Sequence, residues 1–165
     1  MAFQVITPII GLQPITEVST TAQHPVGLVI QAKDATLGSG EFIYLKGVAS
    51  TVVGSIVNYD DGFQTALDTS ATAGPSRPLA IAMSACVASR WGWYQISGLA
   101  VAAKASATTF ADGVGLGATS GLAVAIATGT VIQGAIVRTV TTTSGAAAGF
   151  VALAINRPHD PSDVS

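Results

Sequence analysis

The sequence predicts an all-β protein, a small β-sandwich, jelly roll or barrel that follows an extended N-terminal arm. One observation is the stretch 90–103, RWGWYQISGLAVAA, where side chains alternate with the two-residue period of a β-strand. The other is the rhythm of the chain. Nine or ten short apolar runs are separated by Gly, Pro, Asp or Ser at intervals of about 8 to 15 residues, as in sandwiches and barrels.

The tryptophan-rich strand is predicted to form the centre of the domain. Alternation places Trp91 and Trp93 on one face and Tyr94 and Ile96 on the other. Apolar runs precede it at 79–87 and follow it at 122–137. We therefore expect these four side chains to belong to a strand that is packed on both faces.

Residues 1–26 have the features of an extended arm. Pro8, Pro14 and Pro25 each remove a backbone donor, so that no regular element easily crosses them, and Glu17 is the single charge. An apolar segment of this kind packs on a neighbouring subunit, for example by adding a strand to a sheet edge, or closes the sheet of its own domain. Both interpretations stay open. The residues predicted to contact a neighbour are Phe3, Val5, Ile6, Ile9, Ile10, Leu12 and Ile15.

Residues 27–156 are predicted to form the β domain, and 157–165 a polar tail without a pattern of its own. The pair Asp61-Gly62 predicts a tight turn between two strands. Thr128-Gly129 predicts a second hairpin, and the proline-rich stretch 68–78 predicts a loop. The predicted strands, besides 90–103, cover 26–34, 42–48, 52–59, 63–67, 79–89, 122–127, 130–137 and 150–155.

The composition indicates a surface that other subunits cover. Only 10% of the residues are charged, against ~25% in an average globular domain, and 49% are apolar. A monomer with a surface rich in Thr, Ser and Ala is the alternative. No apolar run approaches the ~20 residues that a membrane helix needs. A net charge of −2 without a basic cluster argues against nucleic-acid binding.

Residues with catalytic or metal-binding potential do not form a recognisable site, so we expect no enzyme activity and no cofactor. Cys86 lies in an apolar run that is typical of a core, and His24 and His159 lie in opposite terminal segments. Asp60 and Asp61 precede a glycine and indicate a turn rather than an acid–base pair. The glycine-rich stretch 113–121 lacks the spacing of a phosphate-binding loop.

Four motifs in order resemble a known family. They are G-x-x-x-Y-x-x-G-V-A at 40–49, RPLAIAMSACVAS at 77–89, GWYQISG at 92–98, and a glycine-rich turn followed by IQGAIVRT at 132–139. Over roughly 38–155 the chain is similar to the capsid decoration (cement) proteins of tailed bacteriophages. The long arm departs from the most compact members of that family.

The resemblance implies a β-rich structural protein that binds the outside of a phage head where capsid subunits meet. It implies the major capsid protein as partner, a homo-oligomer with a trimer favoured over a dimer, and a location on the virion after synthesis in the host cytoplasm. Other interpretations stay open: another virion role such as a head fibre, a carbohydrate-binding β-sandwich in which Trp91 and Trp93 stack on sugars, and a hydrolase of unknown type.

Overall fold

The protein is all-β, as the sequence predicts. The computed structural model describes residues 3–69, 76–126, 131–138 and 149–160, and these contain twelve strands and no helix. The strands are β1 (Gln4–Val5), β2 (Val18–Ser19), β3 (Val29–Asp34), β4 (Gly38–Lys46), β5 (Ile56–Tyr59), β6 (Thr65–Leu67), β7 (Leu79–Ala82), β8 (Trp91–Ala103), β9 (Gly117–Thr119), β10 (Leu122–Val124), β11 (Gln133–Val137) and β12 (Phe150–His159).

The tryptophan strand β8 is the centre of the main sheet. It is 13 residues long and pairs with four other strands. Five of its residues have partners on both sides. Trp91 and Gly92 pair with β4 and β2, Tyr94 and Gln95 with β4 and β7, and Ser97 with β4 and β12. It follows that β4 lies along one edge of β8, while β2, β7 and β12 lie along the other.

A bulge divides β8 into two halves. Ser97 is paired with Glu41 and Gln95 with Phe42, so that Ile96 is an extra residue on β8. The buried Gln95 carboxamide donates to the carbonyls of Ser97 at 3.0 Å and Leu99 at 2.9 Å. Gly98, with φ of 101°, passes so close to Ser39 that a Cβ atom would lie 2.5 Å from the Ser39 carbonyl oxygen. The bulge thus separates the half of β8 that pairs with β4 from the half that pairs with β12.

Five strands close into a small barrel-like ring. Hydrogen bonding runs from β4 through β8, β7 and β5 to β6. A parallel bridge between Lys46 and Gln64 then joins β6 to β4, with Lys46 N–H donating to the Phe63 carbonyl at 3.1 Å and Thr65 Oγ1 donating to the Lys46 carbonyl at 2.8 Å. Closure of this kind removes the exposed edges that an open sheet would have. The side chains inside the ring are Ile43, Leu45, Val57, Ala80, Ala82, Cys86, Tyr94 and Ile96.

Two further cores cover the outside of the ring. Alternation along β4 and β8 turns Phe42, Tyr44 and Trp93 away from the ring interior, and the N-terminal arm packs over them. Alternation along β5 and β7 turns Ile56 and Ile81 outward beneath a second layer built from β9 to β12. The ring is thus sandwiched between the arm and this second layer.

The hairpin at Asp61-Gly62 is confirmed. Val57, Asn58 and Tyr59 of β5 pair with Leu67, Ala66 and Thr65 of β6. The Asp60 carboxylate accepts hydrogen bonds from the backbone N–H groups of Gly62 at 2.9 Å and Gln64 at 3.0 Å. Asp60 is therefore a turn-forming residue, as the sequence indicates.

The predicted pairing of 122–127 with 130–137 is wrong. Residues 128 and 129 lie outside the described residues, but β10 pairs with β9 and β11 pairs with β12. The turn of the observed hairpin is Ser120-Gly121, both with positive φ (49° and 76°), which is the backbone of a two-residue type I′ turn. A Ser-Gly pair next to the short β9 thus forms the turn.

Several predicted strand boundaries also differ; the strand expected at 52–59, for example, covers only Ile56–Tyr59. Of the strand expected at 79–89, only β7 (Leu79–Ala82) is extended, because Met83 then packs on the arm side and Cys86 enters the ring. The last strand continues beyond 155 to His159, where a bridge to Pro78 extends the ladder. The first three residues of the expected polar tail at 157–165 therefore belong to β12.

Candidate interaction surface on the N-terminal arm

The arm folds back onto the sheet of its own chain. Strand β1 pairs with β3, with Gln4 opposite Lys33 and Val5 opposite Ala32. The Phe3 ring meets the Phe42 ring edge-on, with centroids 4.9 Å apart. Five of the seven predicted interface residues lie in or against the buried cluster around Trp93. They are Phe3, Val5, Ile9, Leu12 and Ile15.

The other two predicted interface residues face solvent. From residue 3 to residue 10 the arm alternates, with odd-numbered side chains half-buried and even-numbered ones exposed. Ile6 is 54% exposed and Ile10 is wholly exposed. Together with the exposed Pro8 they form what we call the outer stripe. Soluble surfaces carry single apolar residues, but an apolar row on an extended segment indicates a contact site.

The outer stripe continues onto β3. The Ile6 N–H donates to the Gln31 carbonyl at 2.9 Å, which places Ile6 beside Gln31 on the outward face. Val29 lies two residues from Gln31 on the same face and is 38% exposed. The apolar surface available to a partner therefore extends from the arm onto the neighbouring strand.

A buried polar network holds the arm in place. The carbonyl of Gln13 accepts a hydrogen bond from the Trp93 indole N–H at 3.0 Å. The side-chain oxygen of Gln13 accepts from the Tyr44 hydroxyl at 3.0 Å, and its side-chain nitrogen donates to the Glu17 carbonyl at 2.7 Å. Tyr44 also receives the backbone N–H of Gln23 at 3.2 Å. These bonds satisfy polar atoms that burial would otherwise make costly.

His24 completes this network. Its Nε2 accepts the backbone N–H of Gln13 at 3.0 Å, so the bonded form of the ring is neutral, with its proton on Nδ1. The ring stands edge-on to Tyr44, with centroids 5.3 Å apart, and lies 5.6 Å from the Trp93 ring. His24 therefore fixes the arm rather than holding a metal in this arrangement.

The four predicted core residues of β8 lie on the two faces that alternation assigns. Trp93 is fully buried under the arm, and Tyr94 and Ile96 point into the ring. Trp91, at the start of the strand, is half-buried on the arm side, with the Lys46 ammonium 6.0 Å from its ring centroid. The surface thus offers a partner the edge of one tryptophan.

The surroundings of Cys86 make its thiol unreactive. Cys86 is fully buried in the ring, and burial raises the pKa of its thiol. Desolvation likewise raises the pKa of Tyr94, whose hydroxyl donates to the Cys86 carbonyl at 3.4 Å. Both groups stay protonated at neutral pH. Among the described residues no three His, Cys, Asp or Glu side chains lie close enough together to hold a metal ion.

Sequence reasoning placed the arm's apolar residues in one set and missed their division into two faces. The sequence contains this division. Phe3, Val5 and Ile9 have odd numbers and share one face of an alternating segment, whereas Ile6 and Ile10 have even numbers and lie on the other face. It also missed Gln13 and Tyr44. No local pattern marks a glutamine whose partners lie 31 and 80 residues away.

Comparison of the chain with protein-family models, with curated proteins and with solved structures finds no match in any of the three. Within the part of the chain that the structure describes, no helix is long and apolar enough to span a membrane.

Proposed function

We propose that this protein is a structural virion protein, a decoration (cement) protein that binds the outer surface of a tailed-phage head at subunit junctions. The partner is the major capsid protein, and the protein acts on the virion after synthesis in the host cytoplasm. The observation that carries the proposal is the outer stripe, a row of exposed apolar side chains on a chain of which only 10% is charged. The family resemblance, which includes residues of β4, β7 and β8, supports a capsid protein as the partner.

The outer stripe suits a protein whose task is to bind a surface and not to catalyse a reaction. Burial of apolar surface contributes about 25 cal/mol per Å², and an interface of ordinary size covers on the order of 1,600 Å². The backbone that carries Ile6, Pro8 and Ile10 is anchored by neighbouring side chains that pack on the core, so docking the outer stripe orders little additional chain.

Point substitutions test this proposal better than removal of the arm. Because Phe3, Val5, Ile9, Leu12 and Ile15 complete the protein's own core, deleting residues 1–20 would damage the fold as well as any interface. The test variant is Ile6→Asp with Ile10→Asp. The control is Thr20→Asp with Ala22→Asp, which adds the same charge at two exposed positions of the same arm.

The assay is occupancy of purified heads that lack the protein, measured by titration and gel densitometry. We expect the stripe variant to lose at least about tenfold in apparent affinity, because two carboxylates would be buried without partners. The control should bind like the wild type. Wild-type occupancy by a correctly folded stripe variant would contradict the proposal.

Other virion roles remain distinguishable. A head fibre would project from the shell, whereas a cement protein binds across subunit junctions, so density from electron microscopy of decorated heads separates them. The carbohydrate-binding alternative is weakened by one observation. Trp93 is fully buried beneath the arm, so a stacking platform made of both tryptophans is closed to a sugar.

A further inference from the structure

The fold brings together two carboxyl groups that are far apart in the sequence. Asp68 follows β6 and is 1% exposed, and Asp160 follows β12 and is 8% exposed. A hydrogen bond joins the two carboxyl groups. Asn58 of β5 donates from its side-chain nitrogen to Asp68 Oδ1 at 3.4 Å, which adds a neutral donor on one side of the pair.

The backbone on both sides holds the pair in position. Asp68 N–H donates to the Ile56 carbonyl at 3.0 Å, and its carbonyl accepts the Gly121 N–H at 2.8 Å. Asp160 N–H donates to the Arg77 carbonyl at 2.9 Å, and its carbonyl accepts the Ser76 hydroxyl at 2.9 Å. The pair thus connects the end of β12 to the wall of the ring through side chains as well as backbone.

Two buried carboxylates in contact cannot both stay ionised at low cost. Burial first, then the negative charge of Asp68 and the hydrogen bond to it, raise the pKa of Asp160 to about 7, while the positive charge of Arg77 acts in the opposite direction. Within the described residues, Asp160 Oδ1 has no hydrogen-bond partner and is out of contact with water. A negative charge placed there would lack compensation.

We propose that Asp68 and Asp160 form a proton-sharing clamp, which fastens the end of β12 to the loop after β6 and loosens as the pH rises through neutrality. The carboxyl group with the raised pKa is that of Asp160, and one proton serves the pair. When it is lost, two negative charges face each other in a buried site, and their repulsion loosens the contact between the end of β12 and the loop after β6.

The other titratable or charged groups on the surrounding elements do not provide an alternative proton. His159 makes its contact with the backbone carbonyl of Asp160, at 2.9 Å from Nδ1, rather than with the carboxyl group. Arg157 is paired with Glu41 at 3.0 Å. Tyr59 on β5 has its pKa raised by burial and stays neutral. Among the described residues, the cation whose charge favours the ionised form of Asp160 is Arg77.

The sign of the pH dependence follows from the raised pKa. Below the ordinary aspartate value of 3.8, Asp160 is protonated in the folded and the unfolded chain alike. Between that value and about 7 the folded chain alone holds the proton. Stability therefore falls as the pH rises across this window, and the unfolding equilibrium constant increases by up to about tenfold per pH unit.

The test is urea unfolding of the full chain at a series of pH values across and above this window. The Asp160→Asn variant keeps the shape and a donor but cannot ionise, so we expect its stability to lose the slope and to exceed that of the wild type above neutral pH. Asp61→Asn, at an exposed turn carboxylate, is the matched control and should retain the wild-type slope. An unchanged slope in Asp160→Asn would overturn the clamp.

Two measurements on the wild type test the proposal without relying on a variant. Carboxyl ¹³C NMR should show one aspartate titrating near neutrality, and hydrogen exchange at the Asp160 amide should accelerate with pH by more than the usual base catalysis, while Leu153 does not. Titration of every aspartate in the ordinary acidic range would overturn the proposal. So would stabilisation of the wild type by CaCl₂ above neutral pH, because the two carboxylates would then serve a cation.

Discussion

Single buried polar atoms determine how the arm lies on this protein. Trp93 could pack under any apolar cover, but its indole N–H requires an acceptor, and the Gln13 carbonyl supplies it at 3.0 Å. Tyr44 makes the same demand, and the Gln13 side chain meets it at 3.0 Å. One glutamine therefore selects the position of the arm among many that would bury similar apolar area.

Replacing this glutamine should loosen the arm. We expect Gln13→Ala to lower the free energy of unfolding by about 1–3 kcal/mol, because the variant removes a buried acceptor from Tyr44 and a donor from the Glu17 carbonyl. Urea unfolding measures the change. Gln4→Ala, on the exposed side of the same arm, is the control and should stay within about 0.5 kcal/mol of the wild type. Equal losses in the two variants would mean that the network does not hold the arm.

For individual residues, the sequence predicted which side chains are buried but not which residues they contact. Alternation alone assigned Trp93, Tyr94 and Ile96 to two faces, since a strand sends neighbouring side chains in opposite directions. The sequence could not predict that Asp68 lies beside Asp160. The adjacent Asp60 and Asp61 attracted attention because they are neighbours in sequence, although it is contact in space that shifts a pKa.

Strand β8 is the element on which the others are built. Its first half lies in the ring wall and its second half belongs to the layer with β12, and the bulge at Ile96 lets one strand serve both. Each half is packed on two faces, as the aromatic and glycine alternation predicted. The pattern could not predict which strands pair with β8 or in what order, because the alternation within one strand is the same whichever strand lies beside it.

The arm also has a buried face and an exposed face. Substituting one isoleucine on each face tests this difference. Ile15 is 3% exposed and belongs to the core around Trp93, whereas Ile10 is wholly exposed. We expect Ile15→Ala to cost about 2–4 kcal/mol of unfolding free energy and Ile10→Ala no more than about 0.5 kcal/mol. Thermal or urea unfolding of the two variants provides the comparison. A large loss for Ile10→Ala would show that the arm's outer face is packed against something within the molecule.

The mispredicted hairpin has a local cause. Both Ser120-Gly121 and Thr128-Gly129 are small polar-glycine pairs of the kind that forms turns. The longer apolar runs around Thr128-Gly129 favoured that site, but β9 and β10 are only three residues each. A short hairpin buried on a larger sheet needs little intrinsic strand character, because the sheet provides the stability.

The whole molecule consists of three cores that share strands rather than one core inside a shell. The ring interior is enclosed, and the arm and the β9–β12 layer cover it from outside. The 165 residues include only sixteen Lys, Arg, Asp and Glu side chains, and three of them, Asp34, Asp68 and Asp160, are buried rather than on the surface. Apolar side chains stay exposed at separate places, among them the outer stripe and the pair Val114 and Ile136 beside β11.

This distribution leads us to expect a homo-oligomer. Light scattering on a sizing column should give about three times the chain mass of 16.5 kDa, because the resemblance to decoration proteins implies a trimer rather than a dimer. Adding charge at Val114→Asp and Ile136→Asp, and separately at the outer stripe, then identifies which patch forms the contact. A mass of 16.5 kDa at all concentrations would contradict self-association and leave the capsid as the partner for both patches.

The sequence by itself determined the fold class, the central strand and its two faces, the Asp60–Gly62 turn and the apolar character of the arm. Each of these depends on residues within a few positions of one another, where side-chain direction and turn chemistry act. Only the tertiary structure decided which strands pair, that the ring closes through Lys46 and Gln64, that the arm covers its own sheet, and that Asp68 meets Asp160. Those features depend on distances between segments far apart in the chain, and burial is what brings such segments together.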